Sequence, residues 1–170
     1  MQQIYLAGYD VFRADAAEHG ERLKALCLEN GYKGLYPLDN LAPSHLQGPK
    51  LAQWIFEANI ALLQQADLVM ANLNPFRGAE PDSGTVFEVG YAVAHGVPVW
   101  GYTRQARPLT EQVPGSPKNG VLVDKQGYTI EDFGLNLNLM LACSVQVVQG
   151  DAQNCLQAIV EASSQGTPAN

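Results

Sequence analysis

The sequence predicts an α/β fold, a five-stranded parallel sheet with helices on both faces. Three observations carry this expectation. Short apolar runs of strand length alternate with amphipathic stretches of helix length almost from end to end. The runs are apolar at consecutive positions, as in strands covered on both sides. With 170 residues, 46% of them apolar and 16% charged, the chain can build one ordinary core.

The elements follow in order. Ile4-Tyr5-Leu6-Ala7-Gly8 reads as the first buried strand. Residues 14–29 set Ala17, Leu23, Ala25, Leu26 and Leu28 among charges, with Gly31 as a helix stop and Gly20 as a weak point. Gly34-Leu35-Tyr36-Pro37-Leu38 is the second strand. Residues 50–65 space Leu51, Trp54, Ile55, Ala58, Leu62 and Leu63 by threes and fours, which predicts a helix. Residues 67–73 form the third strand, 74–83 a loop rich in Pro, Gly and charge, 84–95 a third helix and 97–102 a fourth strand. The polar stretch 103–134 is too long for a connector and reads as a functional excursion. A fifth strand over 143–148 and a helix over 151–163, capped by Asp151, complete the pattern. Residues 1–165 are expected to form a single domain without repeats, and 166–170 a frayed tail.

Composition excludes several functions. Ten Lys and Arg against 17 Asp and Glu give a net charge of −7, which argues against nucleic acid and anionic membranes as partners. No apolar run reaches the length of a membrane span, and the first residues lack the basic start of a signal peptide. Three cysteines, Cys27, Cys143 and Cys155, fit neither a disulfide framework nor a zinc knuckle and suit a reducing cytoplasm. His19, His45 and His95 have no metal-pair spacing, so no metal is expected. Neither G-x-x-x-x-G-K-[ST] nor G-x-G-x-x-G after the first strand is present.

Chemistry concentrates in residues 80–92. Between residues 85 and 94, Glu88 is the only ionisable group besides the phenol of Tyr91. A carboxylate on so apolar a helix loses solvation and must be paired, hydrogen-bonded or protonated. It is either a structural acid near a helix start or a functional one, and its place more than a turn inside favours function. Asp82, six residues earlier, is either a plain N-cap or the second acid of a pair suited to glycosyl transfer. Phe12, Trp54 and Phe76 could each stack on a base or simply pack; Phe12 and Phe76 are favoured because they sit in loops after strands.

Tyr5-Leu6-Ala7-Gly8, Tyr36-Pro37-Leu38-Asp39-Asn40, Ala58-Asn59-Ile60, Ala66-Asp67-Leu68-Val69 and the run from Phe76 to Ala92, with the later Asn136-Leu137-Asn138-Leu139-Met140, resemble the nucleoside 2-deoxyribosyltransferase family. The branch with an F-R-G-x-E-P-D loop is most similar. The resemblance implies a flavodoxin-like domain that transfers 2-deoxyribose between nucleobases, without cofactor, in nucleoside salvage. It makes Glu88 the nucleophile that forms a covalent deoxyribosyl ester, Tyr5 the phenol that holds it, and Asp82 the acid that binds the sugar hydroxyls. It extends the substrate-binding set to Gly8, Phe12, Asp39, Asn59, Phe76, Arg77, Gly78, Ser83, Asn138 and Met140. Asn138 is implied to act from a neighbouring subunit, in a homo-oligomer built from dimers. The partners implied are 2′-deoxyribonucleosides and free nucleobases. Two positions depart from the family: Asn59 replaces an acid thought to handle the leaving base's proton, and Leu41 replaces a base-contacting glutamine in some members. A hydrolase using the same glutamate and a non-catalytic nucleoside-derivative binder are the rival readings.

Overall fold

A computed structural model describes residues 1–165. Five parallel strands, β1 (Gln3–Ala7), β2 (Lys33–Leu35), β3 (Leu68–Asn72), β4 (Val99–Thr103) and β7 (Gln146–Gln149), lie in the order β2-β1-β3-β4-β7. Between them run α1 (Ala16–Glu29), α2 (Gly48–Leu63) and α3 (Ser83–Ala94), and α6 (Ala152–Ser164) follows the last strand. The flavodoxin-like expectation holds. The expected tail, residues 166–170, lies outside the described residues. Among the described residues, no helix is long and apolar enough to cross a membrane.

The central strands β1 and β3 are apolar at consecutive positions, Ile4 to Ala7 and Leu68 to Ala71, because their alternate side chains enter two cores. Ile4, Leu6, Leu68 and Met70 pack with Leu23 and Cys27 of α1 and with Cys155, Leu156 and Ile159 of α6. Tyr5, Ala7, Val69, Ala71 and Leu73 pack on the other face with Leu63 of α2 and Val89 and Ala92 of α3. The chain leaves β1 for β2 on one side and returns to β3 on the other. That reversal opens a crevice at the carboxyl ends of β1 and β3, where ligands of such sheets bind.

Three boundaries differ from expectation. The second strand stops at Leu35, because Pro37 starts a 3₁₀ turn (Pro37–Asp39) and the Asp39 carboxylate accepts the Tyr36 N–H at 2.9 Å. The fifth strand starts at Gln146, because α5 (Leu139–Ala142) draws the Cys143, Ser144 and Val145 amides back to its own carbonyls. The excursion after β4 is partly ordered. It holds α4 (Leu109–Gln112) and an antiparallel hairpin of β5 (Gly115–Lys118) and β6 (Val121–Asp124). Asn119 and Gly120 turn that hairpin with φ of 52° and 82°, the left-handed pair that a two-residue turn requires.

Gly20 lies inside α1, where alanine would ordinarily favour the helix by about 1 kcal/mol. A Cβ there would run into the ring of Tyr36, which is buried against α1. The close approach of ring and backbone therefore outweighs propensity. Gly20→Ala is expected to lose about 1–2 kcal/mol through overpacking, read as a lower urea midpoint. An unchanged or higher midpoint would mean that Tyr36 can step aside.

Candidate active site

Four segments converge on the crevice and enclose about 370 Å³, enough for a small ligand. The turn after β1 supplies Gly8, Val11 and Phe12; the turn after β2 supplies Pro37, Leu38, Asn40 and Ala42. α2 supplies Trp54, Ile55 and Asn59, and the start of α3 supplies Asp82, Gly84, Thr85 and Glu88. Most of this lining is apolar, with two amides, Asn40 and Asn59, from the turn after β2 and from α2, and two carboxylates, Asp82 and Glu88, from α3.

Glu88 is reached from beneath by the sheet. Tyr5, fully buried on β1, donates its O–H to Glu88 Oε1 at 2.6 Å. Loss of water raises the Glu88 carboxyl to about 7, and the nearby charge of Asp82 adds to the rise, while the Tyr5 hydrogen bond opposes both. The phenol itself is pushed well above its ordinary value, first by burial and then by the Glu88 charge, so it stays a donor. Asp82 meets both of its readings at once. It caps α3, with Oδ2 accepting from the Thr85 amide at 3.0 Å and the Thr85 hydroxyl at 3.1 Å, and it lines the crevice.

Behind the crevice runs a polar chain that the sequence reading missed. Asp10, buried beside the polar ends of the central strands, accepts from Asn72 Nδ2 at 2.8 Å and lies 3.2 Å from His19 Nε2. Asn72 Oδ1 in turn accepts from Asn74 Nδ2 at 2.7 Å, and Asn74 Oδ1 accepts the Arg104 amide at 2.9 Å. Gly8 is needed for this closeness: a Cβ would sit 2.8 Å from Asp10 Oδ2 and 2.9 Å from Asn72 Cβ. The only advance signals were a carboxylate two residues past Gly8 and an asparagine ending an apolar strand.

Of the expected substrate-binding residues, Gly8, Phe12 and Asn59 line the crevice, as do Asp82 and Glu88. Phe76 and Arg77 lie beside it instead. The Phe76 ring stacks on Tyr9 and Phe12 at centroid distances of 4.9 and 5.4 Å, and Arg77 sits over Phe76 and Phe12 at 4.6 and 5.3 Å. Asp39 is turned away, its two oxygens taken by Lys24 Nζ at 2.6 Å and the Tyr36 amide. Gly78 faces open space. Ser83, Asn138 and Met140 line a separate hollow between α3 and α5, where Asn138 donates to Glu131 at 2.6 Å and caps α5. Asn40, Ala42, Ile55 and Thr85 join the crevice without having been singled out, and Trp54, less favoured than Phe12 and Phe76 as a stacking residue, lies in its wall.

Comparison with known proteins adds to this geometry. A family model described as nucleoside 2-deoxyribosyltransferase matches residues 4–140. A 2-deoxyribosyltransferase from Leishmania mexicana superposes with a TM-score of 0.76 at 32% identity, covering 95% of this chain and 98% of that one. A 2-deoxyribosyltransferase from Bacillus psychrosaccharolyticus, at 16% identity and a TM-score of 0.63, covers 99% and 97% and supports the fold alone. An uncharacterised protein of Schizosaccharomyces pombe is 36% identical over 159 residues, 81% of this chain and 74% of its own.

The raised carboxyl makes a stability prediction. A carboxyl whose folded pKa lies above its ordinary 4.5 binds its proton more tightly when folded. Its favourable contribution is complete below about 4.5 and is lost as pH rises to about 7. Glu88→Gln keeps an acceptor for Tyr5 and carries no charge. It is expected to match the parent near pH 4 and to exceed it by about 1–3 kcal/mol at pH 8 in urea unfolding. Glu88→Ala should gain less, because it strands the buried Tyr5 hydroxyl. A constant gap between Gln variant and parent across that range would contradict the assigned shift.

Proposed function

The chain belongs to the nucleoside 2-deoxyribosyltransferase family, and from that premise we propose that it moves 2-deoxyribose between nucleobases through an ester on Glu88. The observation that carries this reading is the Tyr5–Glu88 hydrogen bond at the floor of a crevice whose other walls are mostly apolar. An oxocarbenium-like centre at C1′ gains most from a carboxylate that is held still and poorly hydrated, since its charge is then poorly screened. As the base leaves, Glu88 Oε closes on C1′; a second base then displaces the ester, and two inversions retain the β configuration. Asp82, on the same helix start, accepts hydrogen bonds from the sugar hydroxyls. Phe12 and Trp54 offer ring faces to the base.

The reading includes an oligomer built from dimers, with Asn138 completing the neighbour's site. In its support, Met140 is 72% exposed next to Asn138, and Phe56 and Phe87 form an exposed aromatic pair on α2 and α3. It also includes salvage in a reducing cytoplasm, consistent with the free thiols of Cys27, Cys143 and Cys155.

Enzyme quenched during turnover of a 2′-deoxynucleoside without acceptor is expected to carry one deoxyribosyl mass on the peptide holding Glu88. Adding a free base should yield a new nucleoside, and Glu88→Gln should abolish both results. Base release with no new nucleoside at any acceptor concentration would make the protein a hydrolase instead. The pH profile gives a second check. Only ionised Glu88 attacks, so single-turnover release should rise through about pH 7. Tyr5→Phe removes the bond that lowers this pKa and should move the rise to higher pH as well as slowing the reaction. A profile that stays in place would detach Tyr5 from the nucleophile.

A further inference from the structure

Among the described residues, the crevice of one protomer holds only two ionisable side chains, Asp82 at the N-cap of α3 and Glu88 in its second turn. Every other wall residue is apolar, glycine, a threonine or an amide: Asn40 from the turn after β2 and Asn59 from α2 are the amides, carried by other elements than the two acids. Asp82 Oδ2 is already occupied by two donors from Thr85. Glu88 must be ionised to attack and so has no proton to give. The indole of Trp54 and the amides can donate hydrogen bonds, but none gives up a proton near neutral pH.

We infer that the crevice releases the nucleobase as its ring-nitrogen anion, with hydrogen bonds from Asn59 instead of a proton transfer, so that it selects deoxynucleosides whose bases have the more acidic ring N–H. The inference rests on the proposed transfer reaction. The bonds balance without a further reactant. The C1′–N bond breaks with its electron pair on the base nitrogen while the Glu88 Oε–C1′ bond forms. The base anion then takes a proton from water and leaves hydroxide. In the return step the acceptor base loses its ring proton to solvent, its nitrogen attacks C1′, and the C1′–O bond returns its pair to the Glu88 carboxylate. An amide can hold the departing anion by N–H donation and thereby lower the barrier, without flattening the dependence on leaving-group acidity.

The test is rapid-quench measurement of base release, with the full-length protein, from 2′-deoxyribosides of 6-substituted purines of graded N9–H acidity. The rate constant is expected to fall by at least about threefold for each unit rise in base pKa. A rate independent of base pKa, with deoxyribosyl-enzyme still forming, would overturn the inference alone, since some group would then be supplying a proton. Base release from no substrate would overturn the transfer reading with it. Asn59→Asp supplies the second readout. It should flatten the dependence, accelerate the slowest bases by about tenfold, and add a loss of rate at alkaline pH as the new acid ionises. A folded Asn59→Asp protein with an unchanged slope would overturn the assignment of Asn59 to the departing base. If that variant does not fold, the slope of the parent decides.

Discussion

Tyr5 pairs with Leu35 on one side and Val69 on the other, so its ring is fixed in the middle of the sheet before any site exists. Its hydroxyl then has one place to go, the Glu88 carboxylate of the helix packed above, and that 2.6 Å bond is the contact on which the crevice depends. Each partner alone is costly in an apolar layer, an unpaired phenol and a dehydrated carboxylate. Together they fix the rotamer of Glu88 while leaving its pKa raised, because desolvation still exceeds the benefit of one donor. The result is a carboxylate that is aimed without being quenched, which a fully solvated or doubly hydrogen-bonded acid could not be.

The rest of the structure braces that arrangement from two sides. Beneath the turn after β1, the Asp10–Asn72–Asn74 chain ties the ends of three strands together, with Asp10 and Asn72 buried. Above the turn, the parallel rings of Tyr9, Phe76 and Phe12 clamp the loop that leads to Asp82. Arg77 adopts a left-handed φ of 54° to lay its guanidinium on two of those rings. The backbone cost of that conformation, about 1 kcal/mol, is of the size that cation–π contacts return. Loop and turn are thus packed together through the rings of Tyr9, Phe12 and Phe76.

This layering explains which parts were legible in the sequence. The five core strands were readable because both faces are covered, and consecutive apolar residues such as Leu68 to Ala71 have few other uses. The α3 segment was readable because Glu88 stands alone in ten residues. The hairpin was not, since Gly115-Ser116-Pro117-Lys118 is exposed and polar, and only Asn119-Gly120 marks it. Asp10 and Asn72 escaped for a different reason. Their meaning depends on β1 and β3 being neighbours, which no local window contains. Asp39 is the converse case: its motif lies at the crevice, yet Lys24 from α1 pairs with its carboxylate, a contact that no local window contains.

Charge placement links these observations to chemistry. The acids of the crevice sit on one helix, and the one cation on the neighbouring loop, Arg77, lies on aromatic faces beside the wall. The field inside is therefore negative, in a chain whose net charge is already −7. Such a field opposes a phosphate and favours a sugar carbon that becomes positive as its bond to the base stretches. Under the proposed reading it also disfavours a departing base anion, unless that base lies toward the uncharged residues of the lining. Asn40, Asn59 and Trp54 are among those residues, and their amide and indole N–H groups supply partial positive charge without a full cation. Under the proposed reading, positive charge at C1′ is met by the carboxylates of α3, and negative charge on the base by the N–H groups that the turn after β2 and α2 bring to the same crevice.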